Sequence, residues 1–387
     1  MPSPLLIGGL ASMVGGLAAV PYLLASLVRK QLPAPSGKFR SVGSLVQRDA
    51  SGLVVRLFYP LAEAAPEGER PMWLPEPQPI YIRAIGMFLN LPASIGGWLL
   101  GPGLRAARGP WVTETGRPSA LPATAGEKLP VVCFSHGLGG FQSVYSLICT
   151  ELASHGYIVV MPEHADSSAA VTTFPDDDTP IFCERSSEAR MTNPATGEAD
   201  GGFAWRNGQI QSRVEQIFTA LGSLLRDTAQ ADSPWHGRVD TSRVVMAGHS
   251  FGGATCVAAC AKAPLGSGGI EGCAFAGFRC GVVLDGWLFP IVGDGDNLDT
   301  TAIDRDFGHA SYDDAPRPEG VDAPPGTPRH ASTTTPLLFM DAASYLADRR
   351  WWGSKQDLVE RATAVGQVRT LLPPLPLLPL HVVPLVC

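Results

Sequence analysis

Between Leu129 and Ala342, short β-branched runs recur at Pro130–Phe134, Tyr157–Met161, Arg243–Ala247, Cys280–Leu284 and Pro336–Met340. Each is apolar almost throughout, which predicts strands covered by helices on both faces. Between the second and third runs, Ile210, Val214, Ile217, Phe218, Leu221, Leu224 and Leu225 follow one another at helical spacing. That period predicts an amphipathic helix with one buried face. Strand, helix and strand in this order predict a mostly parallel sheet and an α/β fold. Leu53–Tyr59 adds an upstream strand that stops at Pro60, and Gly366–Leu371 reads as a last strand.

Other stretches break the pattern. Ile80–Leu100 is apolar and aromatic and predicts a core or lid helix, with a membrane-touching or acyl-binding surface as the alternative. Asp176–Gly202 and Gly293–Thr335 are polar and read as long loops. Leu371–Cys387 carries five prolines, which preclude a regular helix and favour an extended, polyproline-like tail.

At the other end, Leu5–Val28 holds no charge, and Arg29 and Lys30 close it. The length suits a bilayer span of about 20 residues. The cationic start of a secretory signal is missing. Gly8, Ser12 and Gly16 would allow close helix packing in lipid. A membrane anchor is the first expectation, with a cleaved targeting peptide or a surface helix as alternatives. The cations after the span favour a cytosolic main domain, and a secretory placement stays open. The chain thus divides into an N-terminal segment (1–30), an α/β domain (31–370) and a Pro/Leu-rich tail (371–387).

Composition narrows the partners. With 45% hydrophobic and 17% charged residues the chain has the makings of a large core. A net charge of −7 and the lack of a Lys/Arg stripe argue against nucleic acid and leave neutral or amphiphilic small molecules. Of eight cysteines, Cys133, Cys256 and Cys260 lie in apolar surroundings, and no CxxC pair suggests zinc. Buried thiols without a metal are expected.

The chemistry lies in Gly248-His249-Ser250-Phe251-Gly252, a G-x-S-x-G sequence between a strand and the small-residue helix Gly253–Ala261. Such a strand-to-helix bend forces the serine into a strained conformation, lifts its hydroxyl out of the sheet and sets it at a helix N-terminus. Glycines flank it because a Cβ would clash where the chain doubles back. An acyl-transfer serine also needs an oxyanion hole. Ser135-His136-Gly137-Leu138-Gly139-Gly140 follows a strand at the position that supplies one amide, so the pair is assigned to the N–H groups of Leu138 and Phe251. The acid should sit at a later strand end, where position leaves Asp285 and Asp341 about equal. His136, His155, His164 and His249 are expected to make local hydrogen bonds.

FSHGLGGFQSVYSLICTELASHGYIVVMPEH, RNGQIQSRVEQ, GHSFGGATC and RCGVVLDGWLFP together resemble the platelet-activating-factor acetylhydrolase family of the plasma and type II group. The likeness runs from about Leu53 to Leu346, interrupted by the two long loops. It implies an α/β-hydrolase fold and a calcium-independent serine esterase that removes short or oxidised acyl chains from the sn-2 position of phospholipids. It implies no cofactor, selects Asp285 over Asp341 as the acid, and matches Leu138 and Phe251 to the oxyanion positions. The chain departs from the family at its C-terminal end, where a proline-leucine run replaces the segment carrying the base histidine. His309 and His330 come too early, which leaves His381 as the candidate. A broad carboxylesterase, or a catalytically silent lipid-binding protein, are the rival expectations.

Overall fold

The computed structural model describes residues 32–292 apart from short stretches at 50, 63–69, 111, 115–120, 122–127, 175–178, 265 and 267–269, with Thr335, 337–340 and 368–370. The 1–30 segment, nearly all of the 293–335 loop, Asp341, His381 and the 371–387 tail lie outside the described residues.

The first strands are β1 (Val42–Arg48), β2 (Val54–Pro60), β3 (Thr113–Glu114), β4 (Leu129–Ser135) and β5 (Ile158–Pro162). A small hairpin, β6 (Val171–Thr172) and β7 (Ile181–Phe182), stands apart from the main sheet. The later strands are β8 (Val239–His249), β9 (Gly281–Leu284), β10 (Leu337–Met340) and β11 (Val368–Thr370). Nine of them form one sheet in the order β11-β10-β9-β8-β4-β5-β2-β1-β3. From β5 through β4, β8, β9 and β10 to β11 the neighbours are parallel. β2 runs antiparallel to both β5 and β1. This mostly parallel sheet is the α/β architecture that the apolar runs predict, and it agrees with the α/β-hydrolase fold that the resemblance implies.

The helices are α1 (Gln78–Phe88), α2 (Ala93–Ala106), α3 (Ser146–Ser154), α4 (Phe203–Ala229), α5 (Phe251–Lys262) and a single turn, α6 (Phe289–Val292). Successive strand residues face opposite ways. Val131, Cys133, Ile158 and Val160 therefore pack under α4 and α5. Val132, Phe134, Val159 and Met161 pack on the other side with Cys149 and Ala153 of α3. An unbroken apolar strand is thus buried twice over. All seven periodic residues of the 210–225 stretch lie in α4, six fully buried and Phe218 partly so.

Two stretches differ from expectation. Ile80–Leu100 is not one helix but parts of α1 and α2, which bend through 118°. Pro92 cannot continue a helix, and Asn90 takes a left-handed φ of 59° at the corner. The two helices close onto each other through Gly86 and Gly96, where a Cβ on Gly96 would lie 3.3 Å from the Gly86 Cα. Among the described residues no single helix is long and apolar enough to cross a membrane. The second difference is Asp176–Gly202, which contains β7 and a 3₁₀ turn at Glu188–Met191 rather than loop alone. Its end caps α4: the Asp200 carboxylate accepts the N–H groups of Gly202 and Ala204 at 2.8 and 2.9 Å.

Glu163, at the end of β5, ties the sheet to α1. The Tyr81 hydroxyl lies 3.2 Å from both Glu163 oxygens, and the Gln142 N–H donates to one of them at 3.1 Å. Full burial pushes the carboxyl up to about 7 from an ordinary 4.5, against the hydrogen bonds and the Arg48 charge. The folded chain therefore keeps a proton that the unfolded chain releases. Stability falls as pH rises through the interval from 4.5 to about 7, by about 3 kcal/mol if no other group compensates. Glu163→Gln should remove that slope, so urea midpoints at pH 5 and 8 are expected to converge in the variant and not in the parent.

Candidate active site

Strand β8 delivers the serine. Its last residues, Met246–His249, run in register beside Gly281–Leu284 of β9, and α5 begins at Phe251. Between them Ser250 takes φ 54° and ψ −118°, a conformation that side chains resist. The strain is held by backbone bonds on either side. The Ser250 N–H donates to Leu284 O, and the Trp287 N–H to Ser250 O, both at 2.9 Å. The glycines are sterically required. A Cβ on Gly248 would lie 2.0 Å from the Gly252 carbonyl oxygen, and one on Gly252 would lie 2.1 Å from that of Ser135. Ser250 itself is partly exposed, whereas its neighbour Phe251 is fully buried.

That close approach brings the Ser135–Gly140 turn against the start of α5. Phe251 opens the helix, so no carbonyl one turn earlier claims its N–H within α5. The Leu138 N–H has no backbone acceptor among the described residues. The structure thus brings the turn that carries Leu138 against the bend that carries Ser250 and Phe251. The turn around them is fully tied. The Gly139 N–H donates to Ser168 O at 2.7 Å, and the Ala170 N–H to Gly140 O at 3.0 Å. The Gly137 N–H donates to the Tyr145 hydroxyl at 3.2 Å, and that hydroxyl lies 2.8 Å from His249 Nδ1. Tyr145 therefore links the turn to the bend.

Beneath the turn lies a residue that the motifs did not flag. Arg213 of α4 is fully buried and its Nη1 donates to His136 O at 2.6 Å. Its Nε and Nη2 donate to Ser168 Oγ at 2.9 and 2.7 Å, and Nε faces Asp166 Oδ2 at 3.2 Å. The guanidinium also stacks 4.4 Å from the centre of the Phe251 ring. One charge thus braces the turn that carries Leu138, through His136 O, and the ring of Phe251. A signal existed: position 213 falls on the same helix face as Ile210, Val214 and Ile217, where a charge is out of place.

The histidines divide by environment. Burial, then the Arg213 charge, holds His136 down to about 3, and the same causes hold His164 well below its ordinary value. The His164 N–H donates to His136 Nε2, so His136 carries its proton on Nδ1, facing Gly137 O. The His164 Nε2 lies 2.8 Å from Ser135 Oγ and its Nδ1 2.9 Å from Gln216 Oε1. These two rings are structural. His249 is lowered by burial while the Asp285 carboxylate pulls the other way, and Asp285 directly follows Leu284, which pairs with His249 across β8 and β9. Asp285 follows β9 directly, takes φ 44°, and donates its N–H to Met340 O at 2.9 Å. Asp341 and His381 lie outside the described residues.

A family model described as platelet-activating factor acetylhydrolase, isoform II, matches residues 24–300. The chain belongs to this family. The matched residues take in Leu138, Ser250, Phe251 and Asp285 and stop short of His381. A platelet-activating factor acetylhydrolase of Gallus gallus is 30% identical over 288 residues, covering 67% of this chain and 61% of its own. That of Canis lupus familiaris is also 30% identical over 288 residues, covering 69% and 57%. The chain therefore spans about six tenths of the length of these two acetylhydrolases. Among solved structures, a ferulic acid esterase from Streptomyces cinnamoneus superposes with a TM-score of 0.47 at 19% identity, covering 87% of this chain and 73% of that one.

Proposed function

We propose that this acetylhydrolase family member is a serine ester hydrolase acting on the sn-2 ester of phospholipids with short or oxidised acyl chains, without calcium. The observation that carries the proposal is the strained, partly exposed Ser250 on a bend next to the turn of Leu138, where the Leu138 and Phe251 N–H groups have no backbone acceptor among the described residues. Ser250 Oγ attacks the ester carbonyl, and a histidine takes its proton. Asp285 orients that imidazole. The carbonyl oxygen becomes an oxyanion and settles on the N–H groups of Leu138 and Phe251. Collapse expels the lysophospholipid alcohol, which receives the proton, and water then releases the acyl group from Ser250.

His381 is assigned the base, as the histidine after Asp285 with a place in the chain order that the fold requires. The replaced histidine segment supports one rival, a silent lipid-binding protein. A lipid surface is the proposed docking partner. Ile95 and Trp98 on the outer side of α2 are 48% and 46% exposed, an apolar pair three residues apart on one helical face.

The experiment is fluorophosphonate labelling with the modified peptide located, run beside hydrolysis of a short-chain sn-2 phosphatidylcholine. Label on Ser250 and turnover that rises above the micelle threshold are expected, both lost in His381→Ala. A folded sample that binds phospholipid yet takes no label selects the silent rival. Equal turnover of monomeric and micellar ester points to a broad carboxylesterase instead.

A further inference from the structure

Helix α4 buries two arginines, and they differ in what balances them. Arg213 faces Asp166. Arg206 is 8% exposed, yet no carboxylate lies within salt-bridge distance of it among the described residues. Its Nη1 donates to the neutral Gln209 Oε1 at 2.7 Å. Asp166 and Glu184 act on it from farther away, each engaged elsewhere, with Arg213 and Arg190 respectively. Burial lowers the guanidinium to about 10, so it remains a cation at neutral pH. A buried cation without a counter-ion is costly, and the cost persists unless something else supplies the charge.

Arg206 also stands at a particular place. Its guanidinium carbon is 3.7 Å from the Trp205 ring centre, 5.9 Å from that of Phe251 and 6.0 Å from that of Trp287, the two aromatic residues on either side of the Ser250 bend. It lines a cavity of about 390 Å³ together with Phe88, Leu138, Phe182, Cys183, Arg185 and Glu184, the last held by Arg190 in an ion pair of 2.7 Å. Leu138 belongs both to this cavity and to the oxyanion turn. An ester with its carbonyl beside Leu138 and Phe251 therefore has one arm directed toward Arg206. The second cation, Arg185, donates to Met87 O and lies at the exposed rim.

We infer that this cavity is an anion subsite in which Arg206 binds an oxyanion group carried by the ester substrate. The inference rests on Ser250 being the ester nucleophile. The oxyanion is the phosphodiester of a glycerophospholipid or a terminal carboxylate on a shortened acyl chain, since both offer the planar guanidinium paired oxygens. Bound there, the substrate supplies the charge that the described residues do not place beside Arg206.

The test measures binding, so that it reads independently of turnover. Three non-hydrolysable short dialkyl ethers of glycerol are titrated calorimetrically, below their micelle thresholds, into the full chain: one with phosphocholine, one with a terminal carboxylate, and one neutral. Loss of a charge-assisted contact corresponds to about 10- to 100-fold in affinity. Arg206→Met should weaken at least one anionic ether by that factor while the neutral ether shifts less than about three-fold, and Arg206→Lys should fall between. Whether the phosphocholine or the carboxylate ether responds identifies the source of the anion. Equal losses for all three ethers, or a parent chain that binds them alike, overturns the assignment. If Arg206→Met does not fold, Arg206→Lys and the parent's melting temperature with glycerophosphocholine against glycerol decide it: no added stabilisation by the phosphate overturns it as well. Absent Ser250 labelling alongside intact Arg206-dependent binding would sink the esterase proposal and leave the subsite standing.

Discussion

Ser250→Ala is expected to reduce ester turnover by about 10⁴-fold or more, with residual rate from the oxyanion amides alone. The alcohol oxygen is the atom that forms the acyl bond. Ser250→Gly separates chemistry from strain. At φ 54° a side chain carries a conformational penalty that glycine escapes. The glycine variant should therefore be as inactive as the alanine one yet more stable than the parent by about 1 kcal/mol. Initial rates on a short-chain phosphatidylcholine and urea midpoints of the three proteins check both halves. Undiminished turnover in Ser250→Ala would remove the proposed mechanism.

Arg213→Met is expected to cost about 3–5 kcal/mol, because it strands Asp166 as an unpaired buried charge. The loss should also reach the chemistry, since Arg213 holds the His136 carbonyl at 2.6 Å and stacks on Phe251. Adding Asp166→Asn removes the stranded charge and should return part of the stability. It should not return the rate, because the turn still lacks its brace. Chemical denaturation and initial rates across parent, single and double variants read the two effects apart. If stability and rate recover together, Arg213 acts on catalysis through folding alone.

The sequence revealed most where a single local rule governs. β4, β5 and the Val244–Ala247 part of β8 lie between covering layers, so each is a largely apolar run and was legible without knowledge of its neighbours. The bend at Ser250 was legible for a different reason: Gly248 answers a backbone clash with Gly252 inside the same five residues. β1 was not legible. Its buried positions include Gly43 and Ser44, which are neither apolar nor periodic. Gly43 lies under the Tyr59 ring, and Ser44 Oγ accepts the buried Arg56 Nε at 2.8 Å, both contacts with another strand. The break between α1 and α2 was readable in Pro92, but the apolar residues on either side outweighed it. Arg206 and Arg213 stood out as charges on an apolar face. The acid facing Arg213 lies on a loop 47 residues away and Arg206 donates to Gln209 of its own helix, so position alone gave neither a role. Asp285 and Asp341 were equal by position, and the likeness to the acetylhydrolase family chose between them.

Ser250 and Asp285 are moored separately. The serine's bend is gripped by β9 and by the residues just after it, whereas the aspartate's own amide is fastened to Met340 on β10. A chain cut back ahead of Leu337 would keep the strand bond that holds Ser250 and lose the carbonyl that holds the Asp285 amide. In such a fragment, probe reactivity and catalytic turnover would cease to report the same thing.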